Sequence, residues 1–213
     1  MTRLLVVRHG QSVANLDGVF AGHIDPELTE KGVRQAECTA EFIASAYSVD
    51  AVYSSDLQRA HQTGLAVGRK LGLPVETDKG LREIFAGEWE GRKFDELAAE
   101  HSPAYVQWHQ DIGNAKCPGG ETVAELAARV FRTVRRIAEA NEGKTVVLAL
   151  HATPIRTLEW TASGKNLSHM QQIPWVTNAS VSEFTYENGV LTPVKISQDA
   201  HLGAMITALP TNI

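Results

Sequence analysis

The stretch LLVVRHGQSVAN, from Leu4 to Asn15, places an apolar run directly before Arg8, His9 and Gly10. Four consecutive apolar residues predict a short buried strand. The strand ends on a cation, an imidazole and a glycine, with no apolar residue immediately behind them. In α/β proteins, ligands bind beyond the carboxyl ends of such strands. The stretch therefore predicts both a central strand and a polar site at its end.

The rest of the chain alternates short apolar strands with longer helical patterns. Two further buried strands are predicted in DAVYSS (50–55) and TVVLAL (145–150). Two strands near the end, in SVSEFTY (180–186) and VLTPVKI (190–196), flank the turn signal Glu187-Asn188-Gly189. We therefore predict an α/β fold with a mostly parallel central sheet flanked by helices and a C-terminal hairpin. No linker or repeat divides the chain, so residues 1–213 are predicted to form a single domain.

Helix ends are predicted from capping residues. Ser55 with Gln58, and Thr122 with Glu125, have the spacing of capping boxes, and Thr153 is predicted to cap the helix that follows TVVLAL. One helical face over residues 29–47 is predicted to be buried through Val33, Ala36, Ala40, Ile43 and Tyr47. The helix after Thr122 is predicted to bury Val123, Leu126, Val130, Val134 and Ile137.

Composition excludes several classes of protein. The net charge is −5 with acids and bases interleaved, so no basic surface for nucleic acid is expected. Cys38 and Cys117 have no metal or redox spacing, which favours a reducing compartment. The apolar run at Leu4 is too short for a signal peptide or a membrane span. We expect a cytoplasmic protein with a small-molecule substrate, and the sequence leaves a homodimer open.

Four cationic or imidazole side chains are expected to converge on one edge of the sheet. Arg8 and His9 follow the first strand, His151 ends the third, and Arg59 lies near the start of the helix after the second. Guanidinium groups and a helix N-terminus bind the oxygens of a tetrahedral dianion well. An imidazole can attack phosphorus while a second one stabilises the transition state. The loop LREIFAGEWEG supplies Glu83, Glu88 and Glu90 as candidate proton donors for the leaving oxygen.

Other designs for phosphoryl transfer do not fit the sequence. Neither cysteine has an arginine six positions later, as a cysteine phosphatase would require. The segment Gly143-Lys144-Thr145 lacks the upstream glycine of a P-loop. No paired aspartates or His-x-His cluster indicate a two-metal hydrolase.

Six blocks in order carry a family resemblance. They are RHG (8–10) with Asn15, FAGHIDPELTEKG (20–32), SSDLQRAHQT (54–63), LREIFAGEWEG (81–91), PGGET (118–122) and LALHATPIR (148–156). Together they resemble the histidine phosphatase superfamily, the phosphoglycerate mutase-like proteins, over residues 4 to about 189. The resemblance implies a three-layer fold of that type.

The resemblance also implies residue roles. His9 would be the nucleophile that becomes phosphorylated, and Glu83 the general acid and later base. The phosphoryl group would be held by Arg8, Asn15, Arg59 and His151, while Ala21, Gly22 and Ala152 would line the substrate site. Neither a metal nor another cofactor is implied, and the substrate would be a small phosphorylated metabolite.

Departures from the family pattern bear on the reaction. Mutases of the family resemble Glu-Arg-His-Tyr-Gly after the acid and Gly-Asn-Ser after the second histidine. This chain has Ile84, Phe85 and Ala86 in the first place, and Ala152-Thr153-Pro154 in the second. The missing polar groups favour a phosphatase over a phosphoglycerate mutase. A non-catalytic phosphate-binding module is the alternative of another class.

Among nearby residues, Phe20, Phe85, Trp89 and Trp108 are candidates for an apolar rim of the substrate site, and His23 is the further histidine next to the entrance block.

Overall fold

The computed structural model describes residues 1–208, so the last residues of the predicted domain, 209–213, lie outside the described part. The strands are β1 (Thr2–Arg8), β2 (Ala51–Ser54), β3 (Val75–Thr77), β4 (Thr145–Leu150), β5 (Val181–Glu187) and β6 (Val190–Gln198). The α-helices are α1 (Val13–Asp17), α2 (Glu30–Ala46), α3 (Gln58–Leu71), α4 (Phe94–Ala99), α5 (Pro103–Gln110), α6 (Val123–Ala140) and α7 (Ala152–Ser163). Short 3₁₀ turns cover Lys79–Leu81, Gly87–Trp89, Ile112–Asn114, Leu167–Gln172 and Ala200–Met205.

The strands form one six-stranded sheet in the order β3-β2-β4-β1-β5-β6. Strands β3, β2, β4 and β1 are parallel, whereas β5 and β6 are antiparallel to their neighbours. The hairpin turns at Asn188 and Gly189, whose φ angles are both positive, as a two-residue primed turn requires. The predicted α/β fold, mostly parallel sheet and C-terminal hairpin are confirmed.

Alternate residues of β1 face two different cores. Leu4 and Val6 pack with apolar residues of α6 and α7, whereas Leu5 and Val7 pack with those of α2 and α3. A strand that is buried on both faces has apolar residues at consecutive positions, and Leu4 to Val7 has this pattern. The sheet therefore forms the middle of three layers. In α6, the whole predicted buried face and the predicted capping box of Thr122 and Glu125 are confirmed.

The carboxyl ends of β1, β2 and β4 meet at one edge of the sheet. Arg8 pairs with Leu150, and Ser54 pairs with Ala149, so the residues after these strands are neighbours. The chain turns sharply after β1 because Gly10 packs on the backbone of α2. A Cβ atom at Gly10 would lie 2.3 Å from the carbonyl oxygen of Gly32. This close approach explains the glycine that follows His9.

Some local predictions were wrong, each for a physical reason. On α2, Ala36, Ala40 and Ile43 are buried as predicted, whereas Val33 is 41% exposed and Tyr47, partly buried against the same core, caps the end of the helix. The capping box predicted for Ser55 and Gln58 is absent, because α3 starts one residue after Leu57 and the Ser55 hydroxyl contacts other groups. His151 is the N-cap residue of α7, so Thr153 already lies inside the helix and does not cap it. Strand β3 and helices α4 and α5, in the middle of the chain, were not predicted.

Across residues 1–208, none of the helices combines the length and the apolar character needed to cross a membrane.

Candidate active site

A cavity opens beyond the carboxyl ends of β1 and β4, at the N-terminus of α7. Nearly all of the predicted site residues line it, from several separate parts of the chain. These residues are Arg8, His9, Asn15, Ala21, Gly22, Arg59, Glu83 and Ala152. The predicted residue that is not part of this lining is His151, whose ring is in edge-on contact with that of His9. The structure therefore brings together residues from five of the six blocks, since PGGET (118–122) contributes none of them.

His9 has one ring nitrogen held by the backbone. Its Nδ1 lies 2.7 Å from the carbonyl oxygen of Gly10. A carbonyl oxygen only accepts, so Nδ1 carries the hydrogen and Nε2 keeps its lone pair. Burial, together with the charges of Arg59 and Arg8, lowers the pKa of His9 well below 6.5. Near neutral pH the ring is uncharged, with a basic nitrogen at the cavity.

The His151 ring meets the His9 ring edge-on, with a distance of 5.2 Å between ring centroids. Its Nε2 lies 3.0 Å from the hydroxyl oxygen of Ser55, which itself accepts a hydrogen bond from the backbone N–H of Leu57. Burial, and then the charge of Arg59, lowers the pKa of His151 well below 6.5. Its Nδ1 is buried and has no hydrogen-bond partner among residues 1–208. One ring nitrogen is thus fixed and the other is left for a ligand.

Two buried guanidinium groups flank His9. Arg59 donates to the carbonyl oxygens of Gly22, at 2.8 Å, and Ile24, at 2.9 Å, and Arg8 donates to that of Val176, at 2.5 Å. Neither forms an ion pair with a carboxylate in the described part of the chain. Burial lowers the pKa of Arg8 to about 10, helped by the charge of Arg59. Both remain cationic at neutral pH, and their charge is available to an anion.

The three candidate carboxylates have different surroundings. Glu83 lines the cavity, and its two oxygens accept from the backbone N–H groups of Ile84, at 2.8 Å, and Thr153, at 3.4 Å. Glu90 instead binds the backbone N–H groups of His23 and Ala86, which holds two loops together. Glu88 is exposed to solvent. Of the three, Glu83 is the carboxylate that reaches the site.

A segment that was not singled out from the sequence holds the end of β1. The backbone N–H of Ala179 donates to the carbonyl oxygens of Arg8 and His9, and the side chain of Asn178 also donates to that of His9. Ala179 has a φ of +58°, which is strained for a residue with a Cβ atom. Asn178 and Val176 contact site residues that are distant in sequence. No periodic pattern or nearby motif marks them, so the sequence held no local signal for their role.

Four side chains in the lining of the cavity form an aromatic wall: Phe20, Phe94, Trp108 and Trp175. Phe20 contacts Phe94 and Trp108, with ring centroids 5.5 Å and 5.3 Å apart, and Trp108 faces Trp175 at 6.5 Å. Phe20 and Trp108 were predicted at the rim. Of the other predicted rim residues, Trp89 is buried behind Phe20 and Phe85 is exposed against His23.

Of the residues at which this chain differs from the mutase pattern, not all line the cavity. Ile84 and Ala86 are buried in the core, and the cavity lining does not include them or Phe85 and Pro154. Ala152 does line the cavity and has ordinary helical backbone geometry, so a glycine is not required there. His23 lies at the entrance, where its Nε2 contacts the carbonyl oxygen of Glu83 at 2.9 Å. Within residues 1–208, no three His, Cys, Asp or Glu side chains are grouped as metal ligands would be.

The chain is similar to known proteins over nearly all of its length. The profile of the histidine phosphatase superfamily (branch 1) matches residues 4–199. A bifunctional protein of Mycobacterium tuberculosis is 34% identical over 203 residues, which are 94% of this chain and 55% of that protein. The chain therefore spans about half the length of this curated relative. Phosphoserine phosphatase 1 of Hydrogenobacter thermophilus is 29% identical over 203 residues, or 95% of each chain.

Solved structures agree with this assignment. A mycobacterial glucosyl-3-phosphoglycerate phosphatase in complex with VO3 has a TM-score of 0.85 and 27% identity, over 92% of this chain and 99% of that chain. A mutant phosphoserine phosphatase of Entamoeba histolytica in complex with phosphoserine has a TM-score of 0.83 and 26% identity, over 95% and 100% of the two chains. With a matching profile over residues 4–199 and the same three-layer architecture, this chain belongs to the histidine phosphatase superfamily, branch 1.

Proposed function

We propose that this protein is a metal-independent phosphatase that hydrolyses small phosphomonoesters through a phosphohistidine at His9. One observation carries the proposal: the neutral ring of His9 keeps a lone pair on Nε2 in a cavity also lined by Arg8 and Arg59, which have no ion-pair partner in the described chain. A lone pair beside two such cations suits attack on a phosphoryl group. The names of the relatives support a phosphatase, although the activity of this chain is our inference.

In the first step, His9 Nε2 attacks phosphorus and the bond from phosphorus to the ester oxygen breaks. Arg8, Arg59 and the amide of Asn15 hold the phosphoryl oxygens. In this proposal Nε2 of His151 accepts from the Ser55 hydroxyl, and the hydrogen is on Nδ1, which has no partner in the described chain and donates to a further phosphoryl oxygen. Glu83, protonated at this stage, gives its proton to the leaving oxygen, and the free alcohol departs.

In the second step, water replaces the alcohol. The Glu83 carboxylate takes a proton from the water as its oxygen attacks phosphorus, and the bond between phosphorus and Nε2 breaks. Inorganic phosphate leaves, His9 is neutral again and Glu83 is protonated for the next cycle. The N-terminus of α7 favours the negative charge throughout, because the helix dipole places partial positive charge at the end that contributes Ala152 and Thr153 to the cavity.

A phosphatase fits the cavity better than a mutase does. A mutase must hold its dephosphorylated intermediate and return the phosphoryl group to it, which requires polar groups for the organic part. Apart from the groups assigned to the phosphoryl reaction and Thr153, the described lining is apolar. The complete set of reactive side chains also argues against a non-catalytic phosphate-binding module. We further propose that residues 1–213 form a single domain.

The test is to trap the phosphorylated protein. Wild-type protein mixed briefly with nitrophenyl phosphate and quenched in alkali is expected to carry acid-labile, base-stable phosphate. His9→Ala is expected to carry none and to lose turnover by many orders of magnitude. His169→Ala, which removes a histidine far from the cavity, serves as the control and should keep both. Substantial turnover by pure His9→Ala would contradict the assignment of the nucleophile.

A second measurement separates the phosphatase from the mutase. Release of inorganic phosphate and interconversion of 2- and 3-phosphoglycerate are followed in parallel with the same protein. Phosphate release is expected to dominate with nitrophenyl phosphate. Robust interconversion with negligible phosphate release would identify a mutase, whereas neither activity, with phosphate still bound, would identify a binding module.

A further inference from the structure

The aromatic wall is built from four separate parts of the chain, yet its members form one surface. Phe20 follows α1, Phe94 begins α4, Trp108 lies on α5, and Trp175 follows the last 3₁₀ turn before β5. Behind the wall, Trp89 packs against both Phe20 and Trp108, with ring centroids 5.6 Å and 5.8 Å apart. The wall is therefore supported from behind by Trp89, and it lines the same cavity as the phosphoryl-binding groups.

We infer that the aromatic wall binds the alcohol part of the substrate, and that this alcohol is aromatic or an extended apolar chain without charge. The inference rests on the proposed phosphatase activity. The substrate phosphate occupies the polar end of the cavity, so its organic part is directed to the other end. There it meets Phe94, Trp108 and Trp175. Flat aromatic side chains bind apolar groups by contact and by loss of hydrated surface.

The same lining lacks a partner for a second charge on the substrate. The cationic side chains among the described lining residues are Arg8 and Arg59, and both are taken up by the phosphoryl group. A substrate such as phosphoserine or a phosphoglycerate would bring its carboxylate against the aromatic wall without a compensating cation. An unpaired charge in such surroundings is strongly unfavourable. The cavity thus selects against these substrates while it accepts apolar ones.

Arg156 fixes the position of Trp175. Its guanidinium lies 4.0 Å from the centre of the Trp175 ring. The same group donates hydrogen bonds to the carbonyl oxygens of Met170 and Ile173, which precede Trp175 in the chain. Arg156 is buried, so these contacts are shielded from water. The indole is therefore held in place before a substrate arrives, which reduces the entropy lost on binding.

The experiment uses the alkyl esters ethyl, butyl and hexyl phosphate, whose leaving groups have nearly equal acidity. Differences in kcat/KM within this series report the contacts of the chain and not the chemistry. Each additional methylene that reaches the wall is expected to raise kcat/KM about twofold or more. Hexyl phosphate should exceed ethyl phosphate by at least about tenfold. Phosphoserine should be hydrolysed more slowly than hexyl phosphate.

In two wall variants, Trp175→Ala and Phe94→Ala, kcat/KM is expected to depend much less on the length of the alkyl chain. The ratio of hexyl to ethyl phosphate is taken within each variant, so a general loss of activity cancels. Trp160→Ala is the control, because Trp160 lies on α7 and does not line the cavity. Its ratio should match the wild type.

The outcomes separate this inference from the proposed function. If wild-type protein hydrolyses nitrophenyl phosphate through His9 but shows no gain from ethyl to hexyl phosphate, the inference is overturned and the phosphatase stands. A preference for phosphoserine, or a series that stays steep in both wall variants, overturns it as well. If no ester releases phosphate, the proposed function fails and the inference fails with it.

Discussion

The side-chain amide of Asn178 donates a hydrogen bond to Oδ1 of Asn15 over 3.0 Å. The same oxygen accepts from the backbone N–H of Ser12, as part of the capping box of α1. With its oxygen engaged twice, the Asn15 amide is held in one orientation, and its NH₂ group is left to the cavity. Asn15 is therefore both a helix-capping residue and a donor prepared for an anion. Asn178 acts through it as a positioning residue.

Asn178→Ala tests this relationship. Loss of one of the two hydrogen bonds frees the Asn15 amide to rotate, and the phosphoryl group loses a fixed donor. We expect kcat/KM for nitrophenyl phosphate to fall about tenfold, with most of the loss in KM. Asn178→Asp should be worse, because its carboxylate attracts the NH₂ group of Asn15 away from the cavity. Asn166→Ala, at an exposed asparagine, is the control. Equal kinetics in all three variants would contradict the role of Asn178.

Glu83→Gln tests the proton donor. Glutamine keeps the size and the carbonyl acceptor of the side chain but gives no proton to the leaving oxygen. We expect kcat/KM, which reports the first step alone, to fall by about a hundredfold or more for hexyl phosphate and much less for nitrophenyl phosphate, because nitrophenolate leaves without protonation. Glu88→Gln, on the exposed side of the same loop, should behave as wild type. Equal losses with both esters would assign Glu83 to substrate binding instead.

Chelation tests the absence of a metal from the reaction. The phosphoryl charge is met by Arg8 and Arg59, so a divalent cation is not needed for that purpose. Dialysis against EDTA is expected to leave the rate of nitrophenyl phosphate hydrolysis unchanged. The measurement is made with and without added Mg²⁺ or Mn²⁺. Collapse of the rate on chelation, followed by its return with metal, would require a different mechanism.

The buried histidines make stability depend on pH. Burial lowers the pKa of both His9 and His151 well below 6.5 in the folded state. In the unfolded chain each has an ordinary pKa near 6.5, so below that pH the unfolded state binds protons that the folded state does not. The free energy of unfolding should therefore fall as the pH decreases from 6.5 toward the folded-state pKa. Above pH 6.5 the two groups contribute no pH dependence.

The measurement is urea unfolding between about pH 7.5 and about pH 5. The slope of the unfolding free energy against pH, and not its absolute value, is compared between variants. His151→Gln should have a shallower slope than the wild type, and His169→Gln should match the wild type. An unchanged slope in His151→Gln would show that His151 takes up its proton as readily when folded as when unfolded.

Features of the fold that depend on a local pattern of residues, or on the position of a residue at the end of a strand, were predicted from the sequence. Leu4 to Val7 and residues 145–150 are buried on both faces, and continuous apolar runs mark such strands well. Helix α6 has a regular apolar stripe and a true capping box, and both were predicted correctly. Strand β3 has three residues and little burial, so its sequence carries no comparable pattern.

Errors arose where tertiary contacts override local preference. Ser55 has the spacing of a cap, but its hydroxyl contacts His151, which is 96 positions away. Among the site residues, those next to a strand end or inside the six blocks, such as Arg8 and Glu83, were predicted, whereas Phe94 and Trp175, outside these blocks, were missed. Phe94 and Trp175 line the cavity, and Asn178 contacts His9 and Asn15, because segments that are distant in the chain fold together there. Nothing within a few residues of them indicates this, since their partners are far apart in the chain.

The two guanidinium groups at the site, which have no ion-pair partner in residues 1–208, allow ligand binding to be measured by thermal unfolding. Burial is the main cause of the lowered pKa of Arg8, the charge of Glu83 partly offsets it, and repulsion by Arg59 adds to it, while no carboxylate in residues 1–208 forms an ion pair with either arginine. A bound dianion relieves this repulsion only in the folded state, so each compound that fits should raise the melting temperature. In His9→Ala the compound is not consumed, so the shift reports binding alone. A collection of phosphate esters can then be ranked by thermal melting before any product is measured.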